Sequence, residues 1–274
     1  MSRLINKKNY FISVLVSNYN KKKYIFRCLK SLCNQSYRNF EVIFFDDGST
    51  DDSVLAAKKF CKKINIKILV NKKKKKKYPS YNQINSYINA FKKSRGDIIL
   101  LLDSDDFFHK NKLKEVINFF NNYSETQILF DLPNIFFSKK KIKKFRKFKL
   151  FKSMWPRFPS HSCISLKKSL FLELINNKLF VNKFHHVWMD FRISAYVFFV
   201  LRNYKILDKY LTYYFQDPHG ATSKYAFLNC RWWYRRSESF QFIQYISKKK
   251  KIAFNLNFDY FLTKLVTKLF RFFY

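Results

Sequence analysis

The feature that most constrains this chain is an alternation of element types over residues 1–130. Short apolar runs rich in β-formers exchange with stretches whose apolar residues recur at helical spacing. Phe11–Val16, Phe40–Phe45, Ile64–Val70 and Asp97–Leu102 read as strands, and Gln127–Leu132 as a fifth. Between them Lys21–Asn34, Asp51–Cys61, Pro79–Ser94 and Lys110–Asn122 read as helices. In the first helix Tyr24, Ile25, Cys28, Leu29 and Leu32 fall on one side, and Thr50 or Asp51 is placed to cap the second. Elements of these lengths in this order require right-handed crossovers and a mainly parallel sheet, hence an α/β fold. Such sheets hold ligands at the carboxyl ends of their strands.

The remainder is less regular. Val187–Leu201 reads as a helix, Tyr210–Phe215 as a strand and Ser223–Ser247 as a helix. Phe258–Phe273 closes the chain as a basic amphipathic helix, with Phe261, Leu262, Leu265, Leu269 and Phe272 on one face and Lys264, Lys268 and Arg271 on the other. That helix either lies in the headgroup region of an anionic membrane or packs on the domain with its lysines in water.

Charge narrows the partners without choosing among them. Lys+Arg number 55 against 18 Asp+Glu, a formal net charge of +37. Lys, Asn, Ile, Phe and Tyr, the residues of A/T-rich codons, are all abundant, so mutational bias contributes to the lysine excess. A chain this basic binds polyanions such as RNA, anionic lipid or nucleoside diphosphates. The runs Lys72–Lys77, Lys139–Lys149 and Arg231–Arg236 with interleaved aromatics would serve a nucleic-acid module, yet no groove-reading or RNA-stacking motif accompanies them. The five cysteines form no C-x-x-C pair, which argues against a zinc site and a disulfide scaffold. Met1–Asn9 is polar, and no stretch approaches the roughly 18 apolar residues of a membrane span. The expectation is a cytoplasmic protein, peripheral to the inner face of the membrane if its last helix binds lipid.

Acidic residues are scarce, so their placement is informative. Nine of the 18 lie between Glu41 and Asp106. The second strand runs into Asp46-Asp47-Gly48-Ser49-Thr50-Asp51-Asp52, the fourth into Asp103-Ser104-Asp105-Asp106. Crowded carboxylates destabilise one another unless a cation or a donor-rich ligand relieves them. Two such clusters at neighbouring strand ends would face one crevice. There a carboxylate can accept from a base N–H or ribose hydroxyls, and another can hold a divalent ion against a diphosphate. The chain has only three glycines: Gly48 lies in the first acidic turn, Gly96 opens the fourth strand and Gly220 lies in Pro218–Ser223, places where a turn or close backbone approach is needed.

Phe11–Ser53 and Gly96–Asp106 (GDIILLLDSDD) together resemble the opening and the D-x-D segment of inverting family 2 glycosyltransferases of the GT-A fold. The resemblance implies a nucleotide-sugar-binding half over residues 1–131, an acceptor-binding and catalytic half over 132–222, and a helical extension over 223–274. It implies transfer of a sugar from a nucleotide-diphosphate donor, UDP first among the nucleotides, to a hydroxyl of a glycan, lipid-linked or lipopolysaccharide-type acceptor. Ser17 and Tyr19 match the loop that holds the base, and Asp47, with Asp46 beside it, the carboxylate that accepts from the base. Asp103 and Asp105 match the pair that binds ribose and a divalent cofactor, Mn2+ or Mg2+. Asp106 is an alternative ligand, and His219 a third. Inversion needs a base for the acceptor hydroxyl, and Asp190 in His186-Val187-Trp188-Met189-Asp190-Phe191-Arg192 matches it; the other reading of Asp190 is a helix cap or a salt bridge to Arg192. His161 lies in a region that lines the acceptor cleft in such enzymes. Met189 and Phe215 stand where the family carries Glu and Arg, so a non-catalytic nucleotide-binding relative is an alternative, and specific nucleic-acid binding is not expected.

Overall fold

Four parallel strands form where the apolar runs predict them. In the computed structural model, which describes residues 8–72, 77–137, 142–144, 158–217, 220–251 and 258–272, they are β1 (Ile12–Asn18), β2 (Phe40–Asp46), β3 (Ile66–Val70) and β4 (Ile98–Asp103), in the order β3-β2-β1-β4. Helices α1 (Lys22–Cys33), α2 (Ser53–Lys58) and α3 (Pro79–Phe91) make the crossovers. The register aligns the strand ends: Asn18 pairs with Asp46, Ser17 with Asp103 and Asp46 with Val70. The acidic turns after β2 and β4 therefore emerge at one level beside the end of β1.

Both faces of β1, β2 and β4 are covered, so these strands are largely apolar, with Ser13 Oγ donating to Glu41 Oε1 inside; β3, at the edge, is only partly buried and leaves Lys67 exposed. Ile12, Val14 and Val16 face α1 and α4 (Lys112–Asn122), where Ile25, Leu29, Leu32, Leu113 and Phe120 complete one core. Leu15, Ile43, Ile99 and Leu101 face α3 and the second-half helices, against Ile84, Tyr87, Phe171, Ile193 and Phe242. Gly96, just before β4, lies so close to β1 that a Cβ would sit 2.4 Å from the Ser13 nitrogen. Gly48 turns the chain after β2 with φ 70°.

The second half continues the same sheet. β5 (Phe107–Phe108), β6 (Ile128–Phe137), β7 (Ile142–Lys144), β8 (Ile164–Lys167) and β9 (Tyr204–Gln216) extend it through the order β4-β8-β6-β9-β5, with β7 on β6. β8 is antiparallel to β4 and β6, while β9 runs parallel to β6. The expected fifth strand runs five residues further, to Phe137, because β9 and β7 offer it partners. The short helices α5 (Lys168–Asn176) and α6 (Lys178–Asn182) follow β8. The expected helix over 187–201 is α-helical only as α7 (Met189–Tyr196), then winds as a π-turn to Leu201, which Arg202 stops with φ 53°. The expected helix from Ser223 starts later, as α8 (Cys230–Lys249): Leu228 has φ 64° and the Asn229 side chain caps Trp232 N–H. The chain's last helix is α9 (Phe258–Phe272). Among the described residues no helix is long and apolar enough to cross a membrane.

A buried ammonium ties the halves together. Lys112, fully buried at the start of α4, donates to Asp131 Oδ1 on β6, the Ser162 carbonyl and Thr212 Oγ1 on β9, each at 2.6 Å. Removing one partner of such a pair leaves an uncompensated charge without water. Lys112→Met is expected to lower the unfolding free energy by about 3–5 kcal/mol in urea titration. Lys112→Met with Asp131→Leu should recover a large part of that loss, because no lone charge then remains.

Candidate active site

The carboxyl ends of β1, β2 and β4 open into a crevice of about 890 Å³, whose far wall comes from the start of α7, the end of β9 and α8. Ser17, Tyr19, Asp47, Asp103, Asp105 and Asp190 all line it. Asp46 lies beneath it, fully buried, accepting from Ser49 N–H (2.8 Å), Ser49 Oγ (2.6 Å) and Asn18 Nδ2 (2.7 Å). It shapes the acidic turn rather than facing a ligand. Asp106 also points away from the crevice. Its oxygens accept from Ser162 Oγ (2.5 Å) and Phe215 N–H (2.8 Å), which knits the D-x-D turn to β9. Burial and the charges of Asp105 and Asp103 push the Asp106 carboxyl well above the usual carboxylate range. His219 lies outside the described residues.

Asp103 and Asp190 approach one another across the crevice through a histidine. His161 sits in a single 3-10 turn (His161–Cys163) ahead of β8. Its Nδ1 is 3.7 Å from Asp103 Oδ2 and 3.6 Å from Asp190 Oδ2, while its Nε2 accepts the Asp190 backbone N–H at 3.0 Å. Asp103 Oδ1 is held by Gln83 Nε2 (2.9 Å) and the Tyr87 hydroxyl (2.7 Å), both from α3. Asp103 thus keeps Oδ2 toward the crevice. Asp190 occupies the first turn of α7, where the helix dipole favours a carboxylate, and its side chain is 32% exposed.

Arg192 does not pair with Asp190. Its fully buried guanidinium donates to the carbonyls of Val187 (2.9 Å), Phe184 (2.6 Å) and Phe180. Burial lowers its pKa to about 10. Arg192 therefore braces the loop into α7 and fixes where Asp190 projects.

Asp105 meets a cation. Lys21 Nζ lies 2.7 Å from Asp105 Oδ2 and 3.3 Å from Asp217 Oδ2, which enters from the end of β9. Two carboxylates from opposite walls thus converge on one positive charge. That donor set fits a divalent ion, since Mg2+ commonly takes one or two carboxylates and completes its shell with waters and substrate phosphates. Among the described residues no group of three His, Cys, Asp or Glu side chains would hold a metal by itself.

Several lining residues carried no sequence motif. Gln83 and Lys21 sit on or beside helices of the first half, and Asp217 just after β9 in the second. Their only sequence signal is position just after a strand or on the helix face toward the acidic turns. Three polar atoms of lining residues are buried without a partner: Asn18 Oδ1, Gln83 Oε1 and Trp188 Nε1. Such atoms are rare in folded proteins and are suited to a ligand that satisfies them.

The chain belongs to glycosyl transferase family 2, whose family model matches residues 13–186. Among curated relatives, the poly(ribitol-phosphate) beta-N-acetylglucosaminyltransferase TarS of Staphylococcus aureus is 30% identical over 131 residues, 45% of this chain and 21% of TarS. An uncharacterized glycosyltransferase of Haemophilus influenzae is 37% identical over 110 residues, 39% of this chain and 41% of the relative. The matched segment thus spans less than half the length of these relatives. Residues 1–349 of TarS in complex with UDP-GlcNAc superpose with TM-score 0.66 at 22% identity, over 89% of this chain and 68% of that one. The mannosyltransferase PcManGT of Pyrobaculum calidifontis, in complex with GDP-Man and Mn2+, gives TM-score 0.58 at 14% identity, over 85% and 64%. The fold is of the GT-A type.

Behind the far wall, His186 Nδ1 is 3.1 Å from the Tyr225 hydroxyl, and its ring stacks on Tyr234. Burial, then the charges of His185 and Arg231, lower its pKa from 6.5 to about 4. The folded chain keeps this imidazole neutral while the unfolded chain takes up a proton below pH 6.5. Its contribution to stability is therefore complete above pH 6.5 and lost as pH falls toward 4. Denaturant titrations at pH 7 and pH 5 are expected to show a smaller loss in His186→Gln than in the parent.

Proposed function

We propose that this chain transfers a sugar from a nucleotide-diphosphate donor, UDP first among the nucleotides, to a hydroxyl of a glycan acceptor with inversion of the anomeric carbon. The observation that carries the reading is the approach of Asp103 and Asp190 from opposite walls of one crevice to the same His161 nitrogen, at 3.7 and 3.6 Å. One carboxylate belongs to the strand-end side where a donor would sit, the other to a helix start facing it. A base on the face opposite the leaving group is what inversion requires.

In this reading Ser17, Tyr19 and Asp47 recognise the nucleoside, Asp103 accepts from the ribose hydroxyls, and Asp105 with Asp217 would hold a divalent ion. When bound, that ion supplies positive charge at the departing diphosphate. Asp190 takes the acceptor proton as the hydroxyl oxygen bonds to the anomeric carbon and the bond to the diphosphate oxygen breaks. The proton then passes to water, since the Asp190 side chain is part exposed. Residues 1–131 would handle the donor, 132–222 the acceptor, and 223–274 the surroundings.

The same reading places the chain in the cytoplasm, peripheral at the inner face of the membrane, with a lipid-linked or lipopolysaccharide-type acceptor. Its support is α9. This helix packs on α8 through Thr263 and Thr267, which are buried, and leaves Phe258 (79% exposed), Phe261 (56%), Leu265 (58%) and Leu269 (51%) facing out, with the exposed Lys264 and Lys268 beside them. An apolar stripe flanked by cations suits an anionic bilayer.

A thermal-shift series with UDP, GDP, CDP, TDP and ADP, each with Mn2+, Mg2+ or EDTA, is expected to give one selective, metal-dependent rise. Equal, metal-insensitive shifts would instead point to the basic surface, or to a nucleic-acid partner. Asp105→Asn should lose metal-dependent binding and transfer together. Asp190→Asn should bind the donor normally yet lose transfer by roughly 10²–10⁴-fold; transfer retained in that variant would remove Asp190 from the role. Cosedimentation with vesicles containing anionic lipid, and not with neutral ones, should be lost in Leu265→Asp.

A further inference from the structure

We infer that Lys21 is a tethered counter-cation: it holds Asp105 and Asp217 together before a divalent ion arrives, and competes with that ion for the position between them. The inference deepens the proposed function, on which the identity of the ion's companion, a diphosphate, depends. It starts from a problem of charge. The Asp105 side chain is only part exposed on the crevice wall, with the Asp103 carboxylate two residues before it on the same strand end. Asp217 comes to within a few ångströms of it from the opposite wall, since both reach the same ammonium at 2.7 and 3.3 Å. Two facing carboxylates in a poorly hydrated place repel one another strongly unless a cation lies between them. Lys21 supplies that cation.

The way Lys21 is mounted makes it an exchangeable occupant. Its main chain is fixed at the head of α1: its N–H donates to Ser53 Oγ at 3.1 Å, and its carbonyl accepts from Tyr24 and Ile25. Only the flexible four-carbon stem and its strongly hydrated ammonium reach the carboxylates, and such an ammonium binds as a point charge without fixed geometry. The other cation near this turn is differently placed. Arg27 donates to the Asp105 carbonyl at 2.8 Å and is packed among the Tyr24, Phe107, Phe136 and Phe215 rings, so it braces the backbone rather than the carboxylate.

Charge then sets the order of binding. A divalent ion in place of the ammonium puts one more positive charge between the two carboxylates, but it must first displace an attached competitor. Displacement is easier when the lysine gains a new anionic partner, which a diphosphate in the same crevice provides. The divalent ion and the diphosphate should therefore bind cooperatively, with the ion alone binding weakly, and the crevice would not collect metal when the donor is absent.

The test uses Mn2+ alone, titrated into the whole chain and read by electron paramagnetic resonance of free Mn2+, then repeated with UDP. In Lys21→Met the affinity for Mn2+ alone should rise roughly tenfold, from loss of one opposing charge at this distance, and UDP should enhance Mn2+ binding less than in the parent. Lys21→Arg, which keeps the charge, should stay near the parent value. Asp217→Asn should weaken Mn2+ binding. An unchanged or weaker Mn2+ affinity in Lys21→Met, with an intact melting curve, overturns the inference, and so does absence of Mn2+ binding in both parent and variant. Should the variant fail to fold, 13C-methylated lysines of the parent give the second measurement: added Mg2+ must shift the Lys21 resonance, and a fixed resonance overturns the inference. None of these Mn2+- or Mg2+-only readouts involves a sugar nucleotide. Failure of the transferase reading, seen as no selective nucleotide shift, is thereby distinguishable from failure of the lysine exchange.

Discussion

The arrangement of the crevice depends on the ammonium of Lys112. A cation sealed from water requires that every neighbour be a fitting acceptor, and its three are Asp131, Thr212 and the Ser162 carbonyl, on three different elements. Ser162 passes the constraint on. Its hydroxyl accepts the Asp103 N–H at 3.1 Å and donates to Asp106 Oδ2, whose partner oxygen takes the Phe215 N–H. One polar chain thus runs from the core of the second half to the D-x-D turn of the first and on to the end of β9. Its immediate neighbour in sequence is His161, the ring between Asp103 and Asp190. Shape-filling contacts would permit small slides of one half on the other; a fully satisfied buried network of this kind favours one register.

The carboxylates of the crevice are relieved in different ways, and the differences separate what they can do. Asp103 has one oxygen committed to Gln83 and Tyr87, leaving the other to accept. Asp105 and Asp217 share the Lys21 ammonium, carried on a flexible stem. Asp190 sits at a helix start beside His161, with the Arg235 guanidinium within electrostatic reach. Asp106, with both oxygens filled by fixed donors, is a structural part of the turn.

What was legible in the sequence follows from the reach of the forces involved. The β1 to β4 frame was readable because β1, β2 and β4 are buried on both faces, β3 is a short run of β-formers, and each helix shows its apolar side, all local patterns. The acidic turns were readable because carboxylates gather there against the general excess of lysine. The second half was legible only in part: Tyr210–Phe215 lies inside β9 and the three later helices were expected, but β8 and the first half of β9 are recruited by partners more than 30 residues away, and β9 mixes Lys205, Asp208 and Lys209 with its apolar residues. Arg192 shows the same limit. Beside Asp190 in sequence, it reads as a salt-bridge partner, yet helix geometry turns it inward to three carbonyls. Asp46 and Asp47 are adjacent and chemically identical, and strand alternation alone sends the first under the turn and the second into the crevice.

The contrast between the whole surface and the crevice explains how so basic a chain can discriminate. With a net charge of +37, the surface attracts any polyanion at a distance. The crevice itself sets five carboxylates, Asp47, Asp103, Asp105, Asp190 and Asp217, against five cations, Lys21, Lys77, Lys224, Arg235 and Arg236, so its formal charge is balanced where the surface as a whole is strongly positive. Long-range attraction therefore sets how often polyanions arrive, while the fixed pattern of both signs inside the crevice discriminates among them by where each charge falls.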